Sequence, residues 1–245
     1  MTDNRKFVPE IHAKTETVLN YEQKQRQEQE TNKQLKESEL REKKYQFTTN
    51  WFEPHIPRWQ KTLFHLKDKQ INVLEIGVFE GRSTTWILEE LLNNSKSKLV
   101  AVDIFEKFWW GYDHEKTFRE NIRKSGHESQ VEIIKNNSFA ALTELNQQSP
   151  TKFDFIYIDG SHTACDVLSD AVLCWNLLKE RGILIFDDYE WDYYEEEYNN
   201  PRLAVDAFLK CYQQQIEIIY KRYQVAIRKV SRESIRTERE DKTIY

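Results

Sequence analysis

Cysteine is scarce and unpaired. Cys165, Cys174 and Cys211 are odd in number and contain no CxxC spacing, which fits neither a zinc knuckle nor a disulfide framework. They are expected to be buried and reduced, in a cytoplasmic protein. Long hydrophobic runs are absent too: nothing approaches the roughly 18 apolar residues of a membrane span, and the first 14 residues hold no apolar signal core. Neither secretion nor membrane insertion is expected. The net charge is −5 and no dense Lys/Arg block occurs, so the chain is not built to neutralise many phosphates. Nucleic acid is excluded as the first guess for a partner. Glycine is rare, at six in 245 residues against about 7% in an average chain, so each one points to a backbone requirement.

What is present divides into segments. Residues 21–45 are mostly Glu, Gln, Lys and Arg, with Leu35 and Leu40 their only aliphatic side chains, a helix-forming composition without an a/d apolar repeat. This charged arm, 1–44, reads as helical or disordered. Self-association through it is the less favoured reading, and a homo-oligomer stays open. Aromatic density rises at Phe47, Trp51, Phe52 and Trp59, with Pro54 and Pro57 as helix breakers, so the folded domain is placed at 45–231 with a polar tail at 232–245. Trp51, Phe52 and Trp59 are expected in the core.

From residue 71 short β-branched runs alternate with helical patterns. Strands are expected at 71–76, 98–103, 131–135, 153–158, 183–187, 216–220 and 223–230. Between the fourth and fifth, Ala164, Val167, Leu168, Ala171, Trp175 and Leu178 share one helical face. Helix-length connections between the first five strands imply parallel βαβ units. Only Lys221 and Arg222 separate the last two, which predicts an antiparallel hairpin. The fold class is therefore α/β: a Rossmann-like, doubly wound, seven-stranded sheet ending in a hairpin, with an N-terminal helical arm.

Ligands of such sheets bind at the carboxyl ends of the strands. Gly77 and Gly81 follow the first strand and precede a helix opened by Arg82 and Ser83. The dinucleotide fingerprint GxGxxG would put a glycine where Glu75 stands, and a carboxylate there repels a pyrophosphate. It suits a cofactor with positive charge and no phosphate at this loop. Glu75-x-Gly77-x-x-x-Gly81, with Asp103 ending the second strand, resembles the cofactor motif of class I S-adenosylmethionine-dependent methyltransferases. The resemblance implies a glycine loop around the methionine moiety, with Ser83 at its helix start, and Asp103 accepting from the ribose hydroxyls. It also aligns Asn137 and Ser138 with the family's adenine contact. Plainer readings are a strand-end carboxylate satisfied by backbone for Glu75 and helix caps for Asp103 and Ser138.

Asp159 ends the fourth strand, and Asp187 and Asp188 end the fifth. Neighbouring strands lie about 4.8 Å apart, so these carboxylates can converge, and a divalent cation such as Mg²⁺ or Mn²⁺ would relieve their repulsion. His162, three residues after Asp159, is placed to deprotonate an acceptor hydroxyl. The run 158–162 with Asp187-Asp188 resembles metal-dependent O-methyltransferases of macrolide and aminocoumarin sugars and their cephalosporin-hydroxylase-like relatives. One branch implies a metal held by an Asp and a Glu-Asp pair, with a His base three positions beyond the first Asp; here Asp187 replaces the Glu. The other has Asp-Asp and places an Asp base where Ser161 stands, and the Asp-x-x-His spacing favours His162. In a plainer reading Asp159 binds only cofactor, His162 caps a helix and Asp187-Asp188 is a solvated turn.

Residues 189–198 hold five aromatics and five acids and read either as a lid over a polyhydroxylated or cationic acceptor or as a surface loop. Trp109 and Trp110 pose the same choice. The expected activity is S-adenosylmethionine-dependent, metal-assisted O-methylation of a small molecule, a sugar among the candidates. The competing readings are a fold relative with hydroxylase or hydrolase chemistry, against which the lack of a two-His facial triad counts, and a non-catalytic protein that docks a partner through its arm.

Overall fold

The computed structural model describes residues 44–106, 111–148 and 152–230, with Lys36 and Leu40 besides. The rest of the charged arm, Trp109, Trp110 and the polar tail lie outside the described residues. The chain divides after Gln46 into two units, and the second, beginning at Phe47, carries the fold.

Among the described residues that unit is a seven-stranded sheet flanked by six α-helices. The strands are β1 (Asn72–Ile76), β2 (Lys98–Asp103), β3 (Val131–Lys135), β4 (Phe153–Ile158), β5 (Leu178–Phe186), β6 (Ile216–Lys221) and β7 (Val225–Lys229), and the helices are α1 (Ile56–Leu63), α2 (Arg82–Glu90), α3 (His114–Ser125), α4 (Ser138–Gln148), α5 (Ala164–Leu177) and α6 (Pro201–Tyr212). The spatial order is β3-β2-β1-β4-β5-β7-β6. The first five strands pair in parallel, and β7 enters antiparallel between β5 and β6. The winding reverses between β1 and β4, the point at which an open α/β sheet leaves a crevice for ligands.

Both faces of the central strands are buried, as expected when helices cover a parallel sheet. Alternation sends Leu74, Val100, Ile156 and Leu184 into one core with α5 and α6, and Val73, Ala101, Phe155 and Ile185 into the other, where Trp59 of α1 and Trp86 of α2 are packed. Trp59 meets Trp86, Phe155 and Tyr157 edge-on at 4.7–5.5 Å between centroids, the arrangement that aromatic quadrupoles favour.

Several expectations shift. β5 starts at Leu178, five residues early, because α5 runs straight into it and the register with β4 slips between Phe153 and Phe155. Pro57 sits in the first turn of α1 and opens that helix, where its missing N–H costs nothing. The hairpin turn is three residues long, Arg222 to Gln224, with Arg222 N donating to Gln224 O at 2.9 Å. Trp51 is 73% exposed, stacked on Phe79 at 5.9 Å, whereas Phe52 and Trp59 are core. Cys174 is buried but Cys165 and Cys211 are exposed. Nine residues at 100° each put Cys165 on the opposite side of α5 from Cys174. Among the described residues no helix is long and apolar enough to cross a membrane.

His55, 7% exposed, leads into α1 and stacks on Tyr223 at 5.7 Å. Burial lowers its pKa from 6.5 to about 4. The folded state thus binds fewer protons than the unfolded chain, so its contribution is intact above pH 6.5 and is lost as pH falls towards 4, by on the order of 3 kcal/mol. Urea unfolding of His55→Phe, a ring that does not titrate, is expected to show a flatter loss of stability between pH 6.5 and 4 than wild type. Parallel curves would contradict this.

Candidate active site

Sheet register assembles the site. Glu75 pairs with Ala101 and Tyr157, and Tyr157 with Ile185, so one row on the α1–α3 face runs Ala101, Glu75, Tyr157, Ile185. The next row on that face is Asp103, Gly77, Asp159, Asp187. Backbone bonds carry the ladder into it: Gly77 N to Val102 O at 2.8 Å, Asp159 N to Ile76 O at 2.8 Å and Asp187 N to Ile158 O at 2.9 Å. Four of the residues singled out from the sequence thus form a single line across the carboxyl edge of the sheet.

Gly77 has φ +81° and its missing side chain matters. A Cβ there would lie 2.0 Å from Asp159 O and 2.6 Å from Gly160 Cα, so the β1 loop passes directly over the end of β4. Gly81, at φ +83°, caps α2, and a Cβ on it would press on the Phe118 ring at 2.8 Å. Asp103 braces the intervening loop. Its Oδ2 accepts from Val78 N at 2.8 Å and Phe79 N at 3.0 Å, and its Oδ1 from Phe105 N at 2.6 Å. A carboxylate has about four acceptor positions, so one remains for a ligand hydroxyl after these three.

Glu75 is fully buried. Ser83 Oγ donates to its Oε1 at 2.5 Å, while Oε2 has no hydrogen-bond partner among the described residues. Burial raises its pKa from 4.5 to about 7, opposed by the Ser83 and Thr84 hydroxyls and reinforced by Asp103. A buried carboxyl oxygen short of a well-placed donor beneath a glycine loop fits a cofactor bearing an ammonium or sulfonium. Asn137 caps α4, its Oδ1 accepting from Ala140 N at 2.8 Å. Ser138 opens that helix, half-buried, and Phe139 beside it is 61% exposed.

The carboxylates separate into two groups. Tyr157 OH donates to Asp159 Oδ2 at 3.0 Å and also to Asp187 Oδ2. One hydroxyl has one proton, so the two acids crowd a single donor. Burial pushes both carboxyls above their usual range, helped by repulsion from Asp187 and Asp188 on Asp159 and from Asp188 on Asp187. Asp188 turns away through a left-handed backbone, φ +56°. Its Oδ2 lies 2.9 Å from His162 Nε2 and its Oδ1 accepts from Tyr223 OH at 2.8 Å. The Asp188 hydrogen bond raises the pKa of His162 above 6.5 against the opposing effect of burial.

Pairing Nε2–H with Asp188 leaves the Nδ1 lone pair of His162 as the proton acceptor. Among the described residues no group of three or more His, Cys, Asp or Glu side chains is arranged to hold a metal ion. Asp159 and Asp187 converge on the Tyr157 hydroxyl, while Asp188 is occupied by His162 and Tyr223.

Supporting residues escaped the sequence reading. Tyr157 stands two before Asp159, and strand alternation alone puts both on one face. Tyr223 and Gln224 come from the far hairpin: Gln224, fully buried, accepts from Trp59 Nε1 at 2.8 Å and reaches Tyr157 OH at 3.4 Å. No local signal announces these long-range contacts. In the 189–198 stretch Tyr189 is buried, Trp191 lies 4.8 Å from the His162 ring, and Tyr193 and Tyr198 are exposed.

Residues 74–189 match the family model described as a methyltransferase domain. The chain is 30% identical over 122 residues to the uncharacterized protein R132 of Acanthamoeba polyphaga mimivirus, covering 49% of this chain and 52% of that protein. It is 31% identical over 88 residues to a catechol O-methyltransferase of Niastella koreensis, covering 36% of each. The matches thus span about half or less of these relatives' length. Among solved structures, an O-methyltransferase from Bacillus cereus in complex with SAH superposes with TM-score 0.52 at 20% identity, covering 65% of this chain and 74% of that one. The MycE methyltransferase of the mycinamycin pathway, in complex with Mg, SAH and mycinamycin VI, superposes with TM-score 0.54 at 16% identity, covering 76% and 51%. The second unit of this chain has a Rossmann-like methyltransferase fold, with a methyltransferase-domain match running from β1 through Tyr189.

Proposed function

We propose that the chain is an S-adenosylmethionine-dependent O-methyltransferase acting on a hydroxyl of a small molecule. One observation carries the reading. The glycine loop that would hold the donor lies against the backbone of Asp159, so the cofactor crevice and the acid–base cluster share one edge. The methyltransferase-domain match and the O-methyltransferases among the similar proteins support it.

Each residue then has a task. The bound cofactor supplies an electrophilic methyl group on a sulfonium. Glu75 Oε2 offers its unfilled acceptor to the cofactor's positive charge, and Asp103 holds the loop while keeping one position for a ribose hydroxyl. Ser83, Asn137 and Ser138, at the starts of α2 and α4, would add polar contacts to the same cofactor. His162 Nδ1 takes the acceptor's hydroxyl proton, and Asp188 stabilises the resulting imidazolium while Tyr223 fixes Asp188. Asp159 and Asp187 would hold a divalent cation, which would lower the acceptor hydroxyl's pKa. The MycE complex with Mg, SAH and mycinamycin VI supports that finer reading, and the resemblance to the sugar-modifying branch supports a sugar among the acceptors.

Incubation with S-adenosylmethionine and a panel of phenols and sugars, followed by mass spectrometry, is expected to show a product heavier by one CH₂. Chelation of divalent cations should lower the rate by at least ten-fold, restored by Mg²⁺ or Mn²⁺. Unchanged turnover after chelation would remove the cation from the mechanism, and a chain that binds the donor yet methylates no hydroxyl would remove the O-methyltransferase reading.

A further inference from the structure

The loop that follows Asp188 has a composition that the transfer chemistry does not use. Trp191 is half-buried against the His162 ring, with centroids 4.8 Å apart, and Tyr193 stacks on Trp191 at 5.3 Å and 29° while remaining 77% exposed. Tyr194 closes the group edge-on, 5.4 Å from Trp191. A stack of two rings with one face largely in water, beginning at the general base, is a surface that a ring-bearing molecule can cover. Among the described residues the rings that touch Tyr193 are those of Trp191 and Tyr194.

Charge narrows the occupant. Residues 189–198 contain five acids and no Lys or Arg. Among the described residues none of the five makes an ion pair, and all five are exposed. The field at the mouth of the site therefore favours a cation and repels a carboxylate or phosphate. Trp and Tyr faces attract an ammonium by their quadrupoles, so rings and charges select the same ligand chemistry.

We propose that the 189–198 loop is an acceptor-selecting surface that takes a hydroxylated ring carrying an ammonium group, with the ring laid against Trp191 and Tyr193. The inference rests on the methyl-transfer reading and adds the acceptor class to it. Two chemical sources offer such a molecule: an aromatic amine with a phenolic hydroxyl, or an amino sugar. In the first the ring stacks face to face, and in the second its C–H face lies on the indole.

The test reads binding rather than turnover. The full chain is loaded with S-adenosylhomocysteine and titrated in a calorimeter with two matched sets: tyramine, 4-ethylphenol and 4-hydroxyphenylacetate, then glucosamine, glucose and glucuronate. In one set or both the cationic member is expected to bind about ten-fold more tightly than the neutral one, with the anionic member weakest. The set that shows this order identifies the source. The advantage should shrink as salt rises from 20 to about 200 mM, and Asp192→Asn/Glu195→Gln should reduce it while leaving S-adenosylhomocysteine affinity unchanged. Trp191→Phe, which keeps a ring, should retain the order, and Trp191→Ala should weaken every bound member. Equal binding within both sets, preference for the anion, or no binding of any member overturns the proposal. Failure of S-adenosylhomocysteine itself to bind overturns the underlying reading instead, so the two failures are told apart.

Discussion

His162→Ala lowers kcat by 10²- to 10⁴-fold and leaves the affinity for S-adenosylmethionine unchanged. The range is that of a positioned general base, and the geometry assigns the base to one atom. Asp188 Oδ2 holds Nε2 at 2.9 Å, which orients the ring and leaves Nδ1 to receive the proton. The His162 ring contacts Asp188 and Trp191, whereas the donor loop is held by Asp103 and Glu75, so the loss should fall on chemistry and not on cofactor binding. Asp188→Asn should also lower kcat, because the ring then lacks the carboxylate that favours its charged form. Steady-state kinetics with a hydroxyl acceptor, beside a calorimetric Kd for the donor, make the check. A kcat within three-fold of wild type in His162→Ala would show that another group takes the proton.

Gly77→Ala is the second large effect, and it strikes the fold and the site together. The added Cβ would meet Asp159 O at 2.0 Å and Asp159 C at 2.5 Å, and both are backbone atoms at a strand end, which no rotamer change can move aside. The position also has φ +81°, a region that costs an L-residue roughly 1–2 kcal/mol on its own. Relief requires parting β1 from β4 at the row that carries Asp159. A loss of about 4 kcal/mol or more is expected, which in a domain of this size corresponds to a fall in Tm on the order of 10 °C. Donor binding should disappear in whatever fraction folds. Thermal unfolding monitored by circular dichroism checks this; a Tm within 2 °C of wild type would mean that the loop does not lie over Asp159.

The architecture was legible because its causes are local and repetitive. Alternating β-branched runs and helix-length spacers set β1 to β4 nearly to the residue, and the short link after Lys221 marked the hairpin. The edge row Asp103, Gly77, Asp159, Asp187 was legible for the same reason: each residue follows the last apolar position of its strand. Where contacts are long-range the sequence is silent. Asp188 looks like a partner of Asp187 in the chain, yet its left-handed backbone sends it to His162 and Tyr223. Gln224 and Tyr223 enter the site only because β7 inserts beside β5. Trp51 looked like core by composition and is exposed, since Phe52 and Trp59 already fill the space against Trp86.

The most direct test of the central claim is a calorimetric titration of the full chain with S-adenosylmethionine at pH 7, in two buffers of different ionisation enthalpy, with NAD as the comparison ligand. Saturable binding of S-adenosylmethionine is predicted, with release of about half a proton, because the buried Glu75 carboxyl, raised to about 7, ionises when positive charge arrives beside it. NAD should not bind. The claim is contradicted if S-adenosylmethionine gives no heat of binding in either buffer, or if the phosphate-bearing dinucleotide binds in its place.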